Sequence, residues 1–367
     1  MEAVLDMAER YARHFLAAFL CLILVLTLWP FTFFSENGVM TLPGGGVQFT
    51  PPAILYVDSL PSSIRHMRRF TILFRYTPGS AVPASTCTMF ASAANSGEQN
   101  FSLTQSGTAL IFRMPTSDRH GLVIENAVRR GEKIWCGIEY DGDALRAYVD
   151  GEKRVERKVG RLDVSGWNCS YPLVIGSEPN GYFGWIGTLY ALAIFDESLP
   201  PFSFRDPELL IRVHPPVLLF RFRPQETNRF VSTGRDSVTA FLAPRPFAPA
   251  RRTFLIESPT TFFRQRIFDR DVVANIILFL PLGYFFAAIV SPKRHRIFFT
   301  SICAAGAGCA LSLIIEILQA YLPGRYSSLS DVLSNTAGAI FGVFLFHSRH
   351  WLHALLQDRK PSTFPDE

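Results

Sequence analysis

Three pairs of polar residues interrupt apolar runs near the C-terminal end of the chain: Asp271 with Asn275, Glu316 with Gln319, and Asp331 with Asn335. At spacings of three or four, both members of a pair lie on one helix face. Polar side chains in membrane-length helices are costly, so they mark a candidate site. Arg325 lies in the segment between the second and third pairs. A glutamate and two aspartates near one arginine leave surplus negative charge, which either holds a proton or meets a cationic or hydroxyl-bearing ligand. Two functional chemistries fit. In one, the cluster binds a ligand without reacting. In the other, Glu316 and Asp331 act as general acid and base while Arg325 holds a phosphate. A third account is structural: Asn275, Gln319 and Asn335 bond across helices, and Glu316 and Asp331 pair with Arg325. The sequence pairs no serine, cysteine or histidine nucleophile with the cluster, since His295 and His347 fall at the opposite membrane face, so no residue is assigned as catalytic.

The elements that must position these residues are apolar runs. Val272 to Val290, Ile297 to Leu322 and about Val332 to Phe346 read as three spans, with Pro281 and Gly283 in the first and Gly338 and Gly342 at helix-packing spacing in the last. Far upstream, Phe15 to Phe34 gives an uncharged run that ends in aromatic residues, without a small-residue cleavage site, and reads as a retained anchor. The expectation is a four-helix transmembrane bundle. Arg10 and Arg13 before the first span place the N-terminus (1–14) in the cytoplasm by the positive-inside rule, the middle of the chain outside, and the tail (348–367) inside. The basic tetrapeptide Lys293 to Arg296 then falls inside, and the six cluster residues share one depth near the outer leaflet.

Between the first two spans the pattern changes. From about 41 to 200, short aromatic and β-branched runs such as 70–76, 109–114, 133–142, 145–151 and 188–196 alternate with turns, and Asp141-Gly142 and Asp150-Gly151 bound a hairpin. Many short strands without helical interludes predict an inserted all-β sandwich. Residues 201–270 are rich in Pro and Arg, yet 217–222 and 253–258 look strand-like, so this stretch reads as an ordered extension. The formal charge of +5 comes without a lysine-rich tract or an aromatic-interleaved basic patch, which excludes a nucleic-acid footprint. Six cysteines form no disulfide framework; Cys21, Cys303 and Cys309 fall in spans, and Cys87, Cys136 and Cys169 allow at most one intramolecular pair. No metal-ligand spacing occurs and no cofactor is expected.

KIWCGIEYDGDALRAYVDGE, then LVIGSE, then YFGWIGTLYALAIFDESL resembles the laminin-G/concanavalin A-like jelly roll over residues 45 to 200. That resemblance implies carbohydrate contact, with Asp141, Asp143, Asp150 and Glu178 as conceivable participants; their Asp-Gly context reads equally as turn chemistry. The C-terminal pattern D-x-x-x-N-x-x-x-F-x-P-x-G, E-x-x-Q, then R-x-x-x-x-x-D-x-x-x-N-x-x-G-x-x-x-G is similar to the VanZ-like family of bacterial membrane proteins, on Asp271, Asn275, Phe279, Pro281, Gly283, Glu316, Gln319, Arg325, Asp331, Asn335, Gly338 and Gly342. This resemblance implies an inner-membrane protein linked to glycopeptide tolerance, notably teicoplanin, and to surface polysaccharide. The large insert departs from the family's short members. The partners expected are membrane lipid and a carbohydrate or lipid-linked envelope precursor; the sequence sets no oligomeric state.

Overall fold

The computed structural model describes residues 11–357 except 34, 80–85, 95–97, 115–120, 163, 225–228, 243–246, 251–253, 256–269, 291–296, 324 and 326. The basic tetrapeptide Lys293 to Arg296 and most of the strand-like run 253–258 lie outside the described residues. The chain divides into a helical unit (1–32, 253–322 and 326–367) and a β unit (33–252 and 323–325).

The β unit is two eight-stranded antiparallel sheets. In chain order its strands are β1 (Val39–Thr41), β2 (Val47–Phe49), β3 (Leu55–Val57), β4 (Phe70–Pro78), β5 (Cys87–Ala93), β6 (Gln99–Ser106), β7 (Ala109–Arg113), β8 (Leu122–Ile124), β9 (Ile134–Tyr140), β10 (Ala144–Val149), β11 (Glu152–Lys158), β12 (Leu173–Ile175), β13 (Gly187–Phe195), β14 (Leu218–Arg221), β15 (Arg229–Val231) and β16 (Thr239–Leu242). One sheet runs β1-β2-β13-β4-β9-β10-β11, and the other β15-β16-β3-β12-β5-β6-β7-β8. β13 shares one edge between two partners, pairing β2 at 187–189 and β14 at 191–194 on either side of a register shift. The Pro/Arg-rich stretch after residue 200 thus contributes three strands and a short helix, α2 (Pro207–Val213), capped by Asp206 through the Leu209 N–H.

Both sheets turn aromatic side chains into one core, where Phe49, Phe70, Phe74, Phe90, Phe101, Phe112 and Trp185 are fully buried. Aromatic rings supply much apolar area per residue and favour strands, which is why this composition yields a sandwich. The buried Trp185 indole N–H donates to Gln105 Oε1 at 2.8 Å, so the polar end of that ring is satisfied. Strand β11, at a sheet edge, reads EKRVERK and is largely exposed, a charged edge that resists pairing with another chain. The expected hairpins form: residues 141–143 join β9 to β10, and Asp150-Gly151, both with positive φ, join β10 to β11. All six cysteines are free thiols.

The helical unit contains α1 (Ala12–Leu28), α3 (Arg270–Val290), α4 (Ile297–Gln319) and α5 (Leu329–Gln357). Three of these are long and apolar enough to cross a membrane: α3, α4 and the 329–348 portion of α5. The helix at the expected first span, 15–34, has different bounds. Its helix is 17 residues and stops at Leu28, with Trp29 extended at ψ 138° because Pro30 follows and disfavours helical geometry before it. At about 1.5 Å per residue α1 measures roughly 25 Å. The last helix begins three residues earlier than expected and continues well past Phe346.

Glycines set the packing. A Cβ on Gly338 would lie 2.4 Å from the Ile276 carbonyl oxygen, one on Gly342 2.1 Å from that of Leu280, and one on Gly283 1.8 Å from that of Ala339. From Ile276 with Gly338 to Leu280 with Gly342 the numbers rise together, so α3 and α5 run parallel with their backbones in contact. Close approach of this kind is how helices associate in lipid.

Candidate functional site

The polar residues gather at one end of the helical unit, for reasons that begin at the start of α5. Ser328 is its N-cap: its Oγ accepts the N–H of Ser330 at 3.1 Å. In the usual capping box a Glu three residues on would take the N-cap's own N–H. Here that N–H donates instead to Glu316 Oε2, at 2.7 Å, from the last turn of α4. The Ser327 side chain reaches the same carboxylate and also accepts the N–H of Leu255. Glu316 is 2 % exposed, and the positive end of the α5 dipole faces it. Among the described residues it makes no ion pair.

One turn further along α4, buried Gln319 donates through Nε2 to the carbonyl of Thr27 at 2.9 Å, tying the end of α4 to the end of α1. Deeper in the unit, Asn335 donates to Ser312 Oγ at 2.8 Å, linking α5 to α4. Its Oδ1 is buried and has no hydrogen-bond partner among the described residues. Asp331 is half-buried in the first turn of α5. Asp271 is exposed and Asn275 half-buried in the first two turns of α3. The parallel register of α3 and α5, with Gly338 over Ile276, brings these turns to the end that Asp331 and Asn335 occupy. Arg325 is exposed on the segment between α4 and α5.

The structure therefore brings Glu316, Gln319, Asp331 and Asn335 together with the start of α3. It also supplies members that sequence reasoning missed: Thr27, Ser312, Ser327 and Ser328. Two serines accompany the cluster, because the reversal from α4 to α5 returns Ser327 and Ser328 onto Glu316. The run SSLSD before an apolar helix was the available signal, being an N-cap pattern. Ser328 is engaged in capping and Ser327 in bonds to Glu316 and Leu255, so the arrangement is a set of hydrogen-bond acceptors, Glu316 and Asn335 foremost, rather than an activated nucleophile.

In the β unit, the acidic residues singled out from the sequence act locally. Asp141 accepts the N–H groups of Asp143 and Ala144 and pairs with Arg146 at 2.6 Å. Burial alone would raise its pKa, but those two N–H groups and the Arg146 guanidinium hold the carboxyl down at about 2. Asp150 pairs with Arg129 and accepts the Trp135 N–H. Glu178 shapes its turn through the backbone, its N–H donating to the Tyr182 carbonyl. Among the described residues no group of His, Cys, Asp and Glu could hold a metal ion.

Residues 216–352 match the VanZ/LLP1 family model. No curated protein sequence matches the chain. Among solved structures, a Bacteroides ovatus protein assigned a carbohydrate-binding role is similar at 12 % identity and TM-score 0.41, over 56 % of this chain and 60 % of that one. The Ruminococcus gnavus IT-sialidase CBM40, bound to α2,3-sialyllactose, is similar at 14 % identity and TM-score 0.36, over 46 % of this chain and 96 % of that one. The heptameric SAP-like pentraxin of Limulus polyphemus is similar at 16 % identity and TM-score 0.34, over 58 % of this chain and 95 % of that one. The chain thus spans less than two thirds of the length of the first of these.

Proposed function

We propose, from the VanZ/LLP1 match over the membrane-length helices as premise, that the chain is a bacterial inner-membrane protein of the cell envelope. It binds the glycan head of a lipid-linked envelope precursor without reacting with it, and through that binding contributes to glycopeptide tolerance or surface-polysaccharide assembly. The observation that supports this most is Glu316, a carboxylate 2 % exposed at the end of a membrane-length helix, with no basic partner among the described residues. A buried carboxylate with only amide and hydroxyl donors has acceptor capacity to spare, as does the unpartnered Asn335 Oδ1. Sugar hydroxyls supply donors of that kind, and Arg325 would take the lipid diphosphate. In this reading the cluster faces the outer leaflet, the β unit is extracytoplasmic and both termini are cytoplasmic.

The test is Glu316→Gln in the full chain, reconstituted in phosphatidylcholine nanodiscs and titrated with a polyprenyl-diphosphate disaccharide. Gln can still accept the Ser328 N–H, so folding is retained while the charge is removed. At least a tenfold loss of affinity is expected. Unchanged affinity would sink the binding role of Glu316. Retained binding with loss of a hydrolysed or transferred product would instead establish the acid/base role of Glu316 and Asp331.

A further inference from the structure

One end of the β unit holds an open cleft of about 840 Å³, formed where three separate loops meet. Strand pairing brings two of them together. Phe70 at the start of β4 lies opposite Tyr140 at the end of β9, so Arg68 and Arg69 stand beside the 141–143 turn. Gly142, at φ +106°, leaves that side of the turn bare: a Cβ there would be 3.8 Å from Arg69 Nε. Tyr140 fixes the third loop, because its hydroxyl donates to the Gly160 carbonyl at 2.9 Å and accepts the Leu162 N–H at 2.7 Å. Arg161, between those two residues, is thereby held on the same cleft.

The charges in this cleft do not cancel one another. Asp141 is already committed, to Arg146 on one oxygen and to two backbone N–H groups on the other. Among the described residues Arg68, Arg69 and Arg161 make no ion pair, and all three side chains are exposed. Only Asp143 remains as an exposed carboxylate beside them. Three guanidiniums on one cavity, with one exposed carboxylate against them, leave net positive charge that matches the oxygens of a carboxylate or phosphate. A bare polyanion would meet repulsion from Asp143, whereas a sugar offers that carboxylate hydroxyl donors while its acidic group meets the arginines. The volume lies within the range of small-molecule sites.

We infer that this cleft binds an acid-bearing saccharide, with Arg68, Arg69 and Arg161 holding its anionic group and Asp143 accepting its hydroxyls. The inference deepens the envelope-glycan reading above by giving the β unit its own ligand chemistry. The anionic oxygens belong either to a sugar carboxylate or to a sugar phosphate, and the probes separate these sources.

The experiment is isothermal titration of the full chain in phosphatidylcholine nanodiscs against trigalacturonate, mannose 6-phosphate, maltotriose and inorganic phosphate, at low and high salt. Trigalacturonate or mannose 6-phosphate should bind, weakening as salt rises, while maltotriose and inorganic phosphate should not. Arg69→Gln with Arg161→Gln should lower that affinity at least tenfold, and Arg154→Gln on the exposed edge strand should leave it unchanged. Binding of trigalacturonate alone assigns a carboxylate, and binding of mannose 6-phosphate alone assigns a phosphate. Equal binding of maltotriose, equal binding of inorganic phosphate, insensitivity to the double substitution, or no binding of any probe each overturns the inference. Because Glu316→Gln should leave this binding intact, failure of the cleft and failure of the membrane-cluster reading are told apart.

Discussion

Removing the Asp141 side chain should destabilise the β unit by an amount its surroundings allow to be worked out. Its carboxyl is held at about 2 against an ordinary value of 3.8. At about 1.4 kcal/mol per pH unit, that gap is worth roughly 2.5 kcal/mol. The side chain is 28 % exposed, so solvent screens only part of this and about 2 kcal/mol is the working figure. Asp141 is a depressed acid, so its contribution is complete above pH 3.8 and disappears as pH falls through about 2. Asp141→Ala should therefore lower the melting temperature of the β unit by about 4–8 °C at pH 7, given its size. Asp141→Asn keeps an acceptor for the Asp143 and Ala144 N–H groups and loses only the charge, so about half that drop is expected. The buried Trp167 and Trp185 provide the fluorescence signal for thermal melts of the full chain in detergent at pH 7, 5, 3 and 2. The curves of wild type and Asp141→Ala should converge toward pH 2. A difference that stays constant from pH 7 to pH 2 would refute the reasoning, because it would show that the loss is steric and not electrostatic.

Helix packing and thiol burial can be tested as directly. Gly342→Leu places a Cβ 2.1 Å from the Leu280 carbonyl oxygen, so α3 and α5 must separate and the protein should lose its monodisperse peak in detergent; Gly306→Ala, with nothing within 4 Å, should not. If the two variants elute alike, the close contact between α3 and α5 is wrong. Burial pushes the Cys87 thiol up to about 11 and the Cys136 thiol higher still, so neither should react with maleimide at pH 7 until the protein is unfolded in sodium dodecyl sulfate. Mass-mapped modification of Cys136 at the same rate before and after unfolding would contradict its place in the core.

Much of this protein is written in short-range pattern. The apolar runs of α3, α4 and α5 are read from contiguous residues, and so are the Asp-Gly turns between β9, β10 and β11, because helix and hairpin formation depend on neighbours a few positions apart. The spacing of Glu316 with Gln319 and of Asp331 with Asn335 likewise declares a shared face without any structure. Local chemistry also cuts across that pattern: Pro30 ends α1 at Leu28, six residues before the apolar run does.

What pattern could not supply is which distant segments meet. β14, β15 and β16 come from a stretch whose Pro and Arg content suggests an extension, yet they complete both sheets, because the free edges of β13 and β3 offer unpaired backbone groups that only the assembled sandwich defines. Glu316 caps the helix that follows its own, a bond set by how α4 and α5 turn back on each other. The arginines of the cleft come from positions 68, 69 and 161, and only the pairing of β4 with β9 and the two hydrogen bonds of Tyr140 bring them to one place. Residue types and periodicity determine which elements form; the chemistry depends on closing loops of a dozen to 292 residues, and that closure is a property of the packed chain alone.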